Sequence, residues 1–406
     1  MSGNCGSGGG SFREQAGTVQ QAYQIQVAAG EADFAAPLWD TGRVNSDRSI
    51  HIEYAGPELK SRTRYYYRVK AWDGFGRESD WSEAAWWETA LFSPEEWKAR
   101  WITPDPEELD PDGKPVFMLR SRFVARQGIR SARIYATAAG VYEIYVNGSR
   151  VGREPLAPGW TSYKHRHQYQ TYDVISQLQS GGNGIGILLG DGWYKGELTW
   201  LDKRNIYGDR RAALLQLHIR YDDGTEQVIV TDPTWRASTG PILLSELYAG
   251  EIYDARLEKP GWSRADYDDS EWKAVEAIDL PFSQLTAQEN WPTRVIETLR
   301  PQEVIRTPSG ETVLDMGQNL VGRVRMTLQA PAGTQIRLQH AEVLDQEGNF
   351  YTGNLRKAKQ TVEYTAKGEG TETYAPHFTF QGFRYVKVEG FPASDDGGRW
   401  TALLRK

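Results

Sequence analysis

The sequence is poor in cysteine and in long apolar runs. Cys5 is the single cysteine among 406 residues, so the chain can form neither an intramolecular disulfide nor a cysteine-based zinc site. No window approaches the ~18 consecutive apolar residues that a membrane-spanning helix needs. No charged-then-apolar signal peptide opens the chain. These absences predict a protein without a membrane role and fit a cytoplasmic location.

The chain also lacks any stripe or tail in which charges of one sign dominate. The net charge of −7 comes from 54 acidic and 47 basic residues, which are interspersed without a stripe of Lys and Arg, so nucleic acid is not an expected partner. With 39% hydrophobic and 25% charged residues, the composition is that of an ordinary globular protein. At ~100 to 200 residues per domain, this length predicts two to four domains.

Long stretches of helical periodicity with end caps are missing as well. Short runs of alternating apolar and polar residues take their place, for example at 22–30, 49–56, 117–124, 184–190 and 213–221. The run 141–146 ends in Asn147-Gly148, which is a strong hairpin signal. These runs predict an all-β chain.

Aromatic residues, by contrast, are abundant, with 15 Trp and 21 Tyr. Most are expected to fill β-sandwich cores. The loops between residues 140 and 209, however, combine Trp and Tyr with Asp and Asn. Aromatic faces beside carboxylates and amides suit sugar rings, which present apolar C–H patches ringed by hydroxyls. The candidate sugar-binding residues are Asn147, Trp160, Asp191, Trp193, Tyr194 and Asp209.

Several polar residues of these motifs also have a purely structural interpretation. Asn147-Gly148 and Asp191-Gly192 are turn sequences, and Asp254, a further candidate oxygen ligand, can form a structural ion pair with Arg256. Other motifs predict no chemistry. The glycines of 181–186 precede no helix, which excludes a dinucleotide fingerprint, and no Gly-x-Ser-x-Gly nucleophile elbow occurs. His165 and His167 could ligate a metal from one strand face, but a solvated strand start is the preferred interpretation.

Several longer motifs resemble a known family. LAPGWTSY (156–163), YQTYDV (169–174), LGDGWYKG (189–196), YGDRRAALL (207–215) and YAGEIYDAR (248–256) resemble the N-terminal β-sandwich of bacterial multidomain α-L-rhamnosidases. DMGQNLVGRV (315–324) and the stretch 340–361 resemble the sandwich that follows it. YYYRVKAWDGFG (65–76) is similar to strand F of a fibronectin type III domain. The resemblance extends from about residue 20 to about residue 390.

This resemblance implies tandem β-sandwiches in an all-β chain. The expected parts are a flexible leader or tag at 1–13, a fibronectin type III-like domain at 14–92, a jelly-roll-like sandwich at 97–293 and a concanavalin-like sandwich at 294–400. Within the jelly-roll-like part, the acidic and aromatic segment 261–275 is predicted to be a solvated edge.

The resemblance also implies that the catalytic acid and base lie in an (α/α)6 barrel after the β-domains, and the chain ends about where that barrel should begin. We therefore expect no catalytic residues, and instead a non-catalytic N-terminal portion that binds rhamnosides or other carbohydrates and packs against the catalytic domain. No cofactor is required, but related sandwiches can hold rhamnose through calcium. The candidate calcium ligands are Asn147, Asp191, Glu251 and Asp254.

Two alternatives remain open. The chain can be a purely structural scaffold, or an engineered fragment, that binds no sugar. It can also be a glycosidase formed by the sandwiches alone, which would require two close carboxylates in one cleft.

Overall fold

The computed structural model describes residues 18–30, 32–105, 109, 114–198, 203–391 and 399–405, the last range by its backbone only. Within these ranges strands dominate, and the longest α-helix is the single turn Gly192–Lys195. The predicted all-β fold class is therefore confirmed. In the described part of the chain, no helix is long and apolar enough to cross a membrane. The predicted leader at 1–13 lies outside the described residues.

The chain divides into two compact units, Met1–Trp97 and Lys98–Lys406. The first unit contains one five-stranded antiparallel sheet, ordered β2–β1–β4–β5 with β3 also paired to β1. Its strands are β1 (Gln20–Ala29), β2 (Trp39–Asp40), β3 (Val44–Asn45), β4 (Arg64–Asp73) and β5 (Ala85–Glu88). Val27 and Tyr65 are buried in its core, where the Tyr65 ring stacks on Trp87 at 5.6 Å. A 3₁₀ turn, Pro94–Glu96, follows β5.

The strand predicted over 49–56 is wrong, because these residues form an irregular segment. His51 has a φ of 56°, a left-handed conformation that interrupts a strand. Two of the alternating apolar residues of this segment, Ile52 and Tyr54, are instead half-buried side chains that a loop directs towards the core. Tyr54 packs edge-on against Trp39 with 4.9 Å between ring centroids, so its apolar ring reaches the core without joining the sheet.

The second unit contains two large sheets. The first has twelve strands, ordered β10–β9–β12–β7–β15–β18–β6–β13–β8–β11–β19 with β14 on β13. Apolar side chains of β7, β9 and β12 share one buried core with those of β8 and β13. The strands are β6 (Trp101–Pro104), β7 (Phe117–Ala125), β8 (Ile129–Ala139), β9 (Val141–Val146), β10 (Ser149–Val151), β11 (His167–Asp173), β12 (Gly181–Gly190), β13 (Ala212–Tyr221), β14 (Glu226–Val230), β15 (Arg236–Thr239), β18 (Lys273–Ile278) and β19 (Leu285–Ala287).

The second sheet has ten strands, ordered β16–β17–β26–β23–β28–β22–β29–β20, with β21 and β27 on β22. Beside it lies a short hairpin of β24 (Val343–Leu344) and β25 (Phe350–Tyr351). The sheet strands are β16 (Ile242–Glu246), β17 (Gly250–Asp254), β20 (Val295–Leu299), β21 (Glu303–Arg306), β22 (Thr312–Leu328), β23 (Gln335–Ala341), β26 (Thr361–Thr365), β27 (Glu372–Tyr374), β28 (Gln381–Glu389) and β29 (Arg399–Arg405). The 3₁₀ turns of this unit are Ile175–Gln177, Ala255–Leu257, Phe282–Gln284 and Gly353–Leu355.

The two sheets of this unit are joined by an exchange of strands. β16 and β17 precede most of the second sheet by many residues, yet β17 pairs in parallel with β26 through Gly250 and Thr361. An additional buried cluster combines side chains of both sheets, with Met118 and Leu188 from the first, Ile242 from the second, and Phe378 from the segment before β28. The predicted boundary at residue 294 does not mark this exchange, and the domain limits themselves stay a prediction.

Candidate functional site

An exposed tryptophan pair lies in the predicted sugar-binding loops. Trp160 is 58% exposed, and its ring is parallel to that of Trp193 within 5°, with 6.3 Å between the centroids. Trp160 Nε1 donates a hydrogen bond of 3.2 Å to the Tyr207 hydroxyl. Trp193 is half-buried and tilts against Phe380 at 6.4 Å. Both indoles are therefore held by neighbouring rings while Trp160 stays open to solvent.

Beneath this pair, tyrosines form a packed layer. Tyr163 meets Tyr194 edge-on at 5.4 Å and Tyr207 at 4.9 Å. A Cβ at Gly208 would lie 2.5 Å from the Tyr194 ring, so glycine is needed there. Tyr194 is buried, and it therefore supports the layer rather than offering a stacking face. Burial, followed by the charge of the exposed Asp209, raises the pKa of Tyr194.

His167 belongs to the same layer, and its predicted solvated position is wrong. The side chain is buried and lies 5.1 Å from Tyr163 and 5.3 Å from Trp101, centroid to centroid. Its Nε2 lies 2.8 Å from the Ala138 carbonyl oxygen. Burial lowers the pKa of His167 to about 4, although the Ala138 hydrogen bond opposes that shift. His165, two residues earlier, is exposed.

Asp191 is not open to a ligand, because two arginines already neutralise it. Arg204 Nη2 lies 2.6 Å from Asp191 Oδ2. Arg211 Nε lies 3.2 Å from Oδ1, close enough for an ion pair although not aligned as a hydrogen bond. Arg204 also pairs with Glu246 through Nη1. Two acids and two bases thus form a neutral buried group, in which burial lowers the pKa of Arg211 and Asp191 opposes that shift.

Asn147 lies apart from the tryptophan pair, in the turn between β9 and β10. Its φ of 51° and the φ of 85° at Gly148 are those of a tight hairpin turn, so the predicted hairpin is confirmed. The side-chain amide donates to Gln177 O at 2.9 Å and to Asn183 Oδ1 at 2.8 Å, and its oxygen accepts from Gly184 N at 2.9 Å. All the polar atoms of this side chain are therefore engaged within the fold.

Glu251 and Asp254 are engaged as well. Glu251 is fully buried and accepts from Ser245 Oγ at 2.7 Å, from Tyr374 Oη at 2.8 Å and from the His377 amide at 2.9 Å. Asp254 pairs with Arg256 at 2.6 Å, the structural ion pair that the sequence suggested. Among the described residues, no group of three or more His, Cys, Asp or Glu could hold a metal ion. Calcium binding stays a prediction, with its four candidate ligands already in other contacts.

A second feature, absent from the sequence analysis, is a cavity of about 310 Å³ in the same unit. Its apolar floor comes from Met118, Leu188 and Ile242, and its aromatic walls from Tyr145 and Trp262. The segment 258–264 closes one side. Sequence reasoning misses the cavity because it predicts 261–275 as a solvated edge. That prediction is wrong for Trp262, Ser263 and Trp272, which are buried or half-buried.

A buried arginine holds this segment in place. Arg120 of β7 has no exposed surface and donates through Nε to the Trp262 carbonyl at 2.7 Å and through Nη2 to the Arg264 carbonyl at 2.8 Å. Its Nη1 pairs with Asp269. A charged group buried in this way fixes geometry, because each of its three nitrogens has an acceptor within residues 262–269. The cavity wall is therefore anchored to the first sheet.

A buried charge pair stands behind the cavity. His377 lines it, and His377 Nδ1 lies 3.1 Å from Glu143 Oε2. Burial alone would raise the pKa of Glu143, but the charges of His377 and Arg150 outweigh burial and lower it to about 2. Burial alone would lower the pKa of His377, but Glu143 outweighs burial and raises it. Glu143 and His377 therefore each favour the charged form of the other.

The fold is that of a chain of β-sandwiches. Comparison with known protein families identifies the domains to which these sandwiches correspond. Residues 11–93 match the Rha78A-like N-terminal immunoglobulin domain, residues 127–297 the α-L-rhamnosidase N-terminal domain, and residues 305–403 the bacterial α-L-rhamnosidase concanavalin-like domain. The chain therefore belongs to the α-L-rhamnosidase family and corresponds to the N-terminal part of these proteins. The first match describes an immunoglobulin domain where the sequence suggested the fibronectin type III variety.

Individual relatives agree with this assignment. An α-L-rhamnosidase of Streptomyces avermitilis is 33% identical over 93% of this chain and 53% of its own length. A crystal structure of the S. avermitilis α-L-rhamnosidase complexed with L-rhamnose matches 96% of this chain and 54% of that chain, with a TM-score of 0.89. The native Aspergillus terreus enzyme is 37% identical, with a TM-score of 0.88 over 96% of this chain and 45% of its own. The chain thus spans about half the length of the relatives it matches.

Proposed function

We propose that this chain is the non-catalytic N-terminal portion of an enzyme that hydrolyses terminal α-L-rhamnosyl residues, and that it contacts carbohydrate through Trp160 and Trp193. The proposed carbohydrate contact rests on the exposure of Trp160 beside a parallel indole ring. Rhamnose is a 6-deoxy sugar, so its methyl group and axial C–H bonds offer apolar surface to an indole face. The S. avermitilis relative was crystallised with L-rhamnose, which is consistent with this ligand class.

A purely structural role is the second candidate, and a specific observation favours it. Asp191, a candidate ligand of sugar and calcium, and Glu251, a candidate ligand of calcium, are both buried and paired with protein groups. Under this alternative the exposed Trp160 is covered by another domain of a longer protein, because large exposed aromatic surface commonly marks an interface. The two candidates differ in what happens when sugar is added to the isolated chain.

Isothermal titration with methyl α-L-rhamnoside separates them. The variant Trp160→Ala is compared with Trp86→Ala, a matched control because Trp86 is 55% exposed but lies in the first unit. Loss of one stacking indole is worth about 1 to 3 kcal/mol by analogy with base stacking on aromatic side chains, so we expect at least about fivefold weaker binding for Trp160→Ala and no change for Trp86→Ala. Both variants should keep the unfolding midpoint of the parent.

Absence of binding by the parent chain would favour the structural candidate. Turnover of an aryl α-L-rhamnoside by this chain would overturn the non-catalytic assignment. Titration in the presence of a calcium chelator completes the test, since an affinity that falls on chelation would support the calcium site predicted from the resemblance.

A further inference from the structure

The cavity beside Trp262 has the size of a site for a single sugar ring. Its volume of about 310 Å³ stands at the lower end of protein ligand pockets, which begin near about 300 Å³. Tyr145 and Trp262 face it from two elements, with 5.5 Å between their ring centroids. Trp262 is in turn stacked on Trp272 at 6.4 Å. An apolar floor and two supported aromatic walls suit a ring with C–H faces rather than a flexible chain.

The charged groups around this cavity are mainly cationic. Lys259 and Arg264 line it, and neither has a carboxylate or carbonyl acceptor for its charged group within the described ranges. The Lys259 ammonium instead lies 5.8 Å from the centre of the Trp272 ring. His377 Nδ1 is hydrogen-bonded to the Glu143 carboxylate, and no described residue accepts a hydrogen bond from His377 Nε2. Three nitrogen donors therefore surround this cavity, namely the Lys259 ammonium, the Arg264 guanidinium and His377 Nε2.

The acids nearby do not cancel this charge. Glu258 also lines the cavity, but its carboxylate already accepts from Tyr253 Oη at 2.9 Å and from Lys367 Nζ at 2.8 Å. Asp266 lines an adjoining depression together with Arg264, and no ion pair joins those two side chains. A ligand with its own negative charge would therefore form charge-assisted hydrogen bonds with these donors, whereas a neutral ligand would leave them to solvent water.

We propose that this cavity binds a uronic acid, with the sugar ring against the contacting rings of Tyr145 and Trp262 and its carboxylate at Lys259, Arg264 and the His377 Nε2–H group. The site is separate from the Trp160 face, and the ligand class differs in charge from a rhamnoside. A cation at Lys259 sets long-range attraction, while the planar guanidinium of Arg264 can take both carboxylate oxygens. The proposal thus adds an acidic-sugar site to a chain whose proposed function involves a neutral sugar.

Methyl NMR locates the ligand directly, because the chain has only 4 methionines. Met118 lines the cavity, whereas Met316 and Met326 lie in the core of the second sheet. With ¹³C-methyl methionine in the full chain, D-glucuronate should shift the Met118 signal in a saturable way and leave the other two unchanged. D-glucose, which has a hydroxymethyl group in place of the carboxylate, should bind at least tenfold more weakly.

Variants test the charges. Lys259→Met and Arg264→Gln should each weaken D-glucuronate binding at least fivefold, whereas Lys273→Met, at an exposed lysine of β18, should leave it unchanged. Trp160→Ala should also leave it unchanged, so that this proposal and the rhamnoside proposal can fail independently. Equal affinity for D-glucose, an unmoved Met118 signal, or tighter binding of benzoate than of D-glucuronate would each overturn the acidic-sugar assignment.

Discussion

Single residues decide whether the cavity wall can lie against the first sheet. The glycines of 181–186 do not read as a nucleotide-binding motif, and the structure gives their physical reason. A Cβ at Gly184 would lie 2.4 Å from the Ser263 carbonyl oxygen, and one at Gly186 would lie 2.1 Å from the Trp262 ring. Real Cβ atoms do not approach other atoms so closely. Segment 261–265 therefore rests on a strand surface that only glycine provides.

Replacing Gly186 by alanine should lower stability by about 1 to 3 kcal/mol, the usual cost of overpacking. The added methyl group must displace Trp262, which is fixed through its carbonyl by Arg120. Gly182→Ala is the matched control, since its Cβ would lie 3.3 Å from the Ala265 Cβ and needs only a small adjustment. Urea unfolding followed by tryptophan fluorescence measures both, and equal midpoints for the two variants would contradict this account.

Glu251 provides the second test at this scale. The Glu251 carboxylate accepts hydrogen bonds from Ser245, Tyr374 and the two consecutive amides at 377–378. A donor group at this position would face other donors. Glu251→Gln places an NH₂ group against these donors and should cost about 2 to 4 kcal/mol. Asp254→Asn, which breaks a pair whose arginine is half-exposed, should cost about 1 kcal/mol or less. Thermal unfolding that ranks these two variants in the opposite order would refute the assignment.

At the scale of elements, the exchange of β16 and β17 ties the two sheets of the second unit together. Gly250 begins the parallel pairing with β26, at a φ of 113°. A Cβ there would lie 1.7 Å from the Thr361 carbonyl oxygen. Parallel neighbours in a sheet approach this closely only where no side chain intervenes. The pairing therefore depends on one position.

Gly250→Ala should consequently destabilise the second unit by more than about 3 kcal/mol, because backbone strain adds to a direct clash. Gly224→Ala offers a control with the same kind of backbone, since Gly224 has a φ of 82° but nothing within 4 Å of its Cβ. That variant should lose only about 1 kcal/mol. Differential scanning calorimetry compares them, and similar losses would show that the crowding at Thr361 is unimportant.

These elements also show what the sequence can predict. The β9–β10 hairpin was predictable because the two residues Asn147-Gly148 by themselves favour the positive φ angles of a tight hairpin turn. Trp160 and Trp193 were predictable as aromatic residues between strands, although Trp193 lies in the short helix Gly192–Lys195 and their stacking was not predictable. Local patterns, however, do not name a distant partner. The β17–β26 pairing, the arginines that neutralise Asp191, and the His377–Glu143 pair across 234 residues all depend on contacts that only the folded chain creates.

At the scale of the whole molecule, buried histidines connect the fold to pH. His167 lies in the first sheet's tyrosine layer and His340 in the second sheet, where His340 Nδ1 lies 2.8 Å from Gln360 O. Burial lowers the pKa of each to about 4. Both sheets therefore contain a histidine whose protonation lowers the stability of the fold.

The direction of the pH effect follows from these values. A histidine whose pKa is 6.5 when unfolded and about 4 when folded contributes its full stability above pH 6.5. That contribution falls as the pH drops towards 4, because the unfolded state binds a proton first. Each group accounts for on the order of 3 kcal/mol across this range. Glu143 adds a further loss between its ordinary pKa of 4.5 and about 2. His377 has the opposite sign, since its raised pKa supports the fold at low pH and loses that support as the pH rises.

We therefore expect the free energy of unfolding to decrease by several kcal/mol between pH 7 and pH 4.5, mainly through His167 and His340. Urea titrations at half-unit steps of pH measure this slope. His340→Gln keeps a side-chain donor for Gln360 but cannot take up a proton, so it should flatten the slope even if it lowers stability at pH 7. His165→Gln, at an exposed histidine, should leave the slope unchanged. A parent chain with constant stability over this range would mean that neither buried imidazole titrates as its surroundings require, and the burial of His167 and His340 would need another explanation.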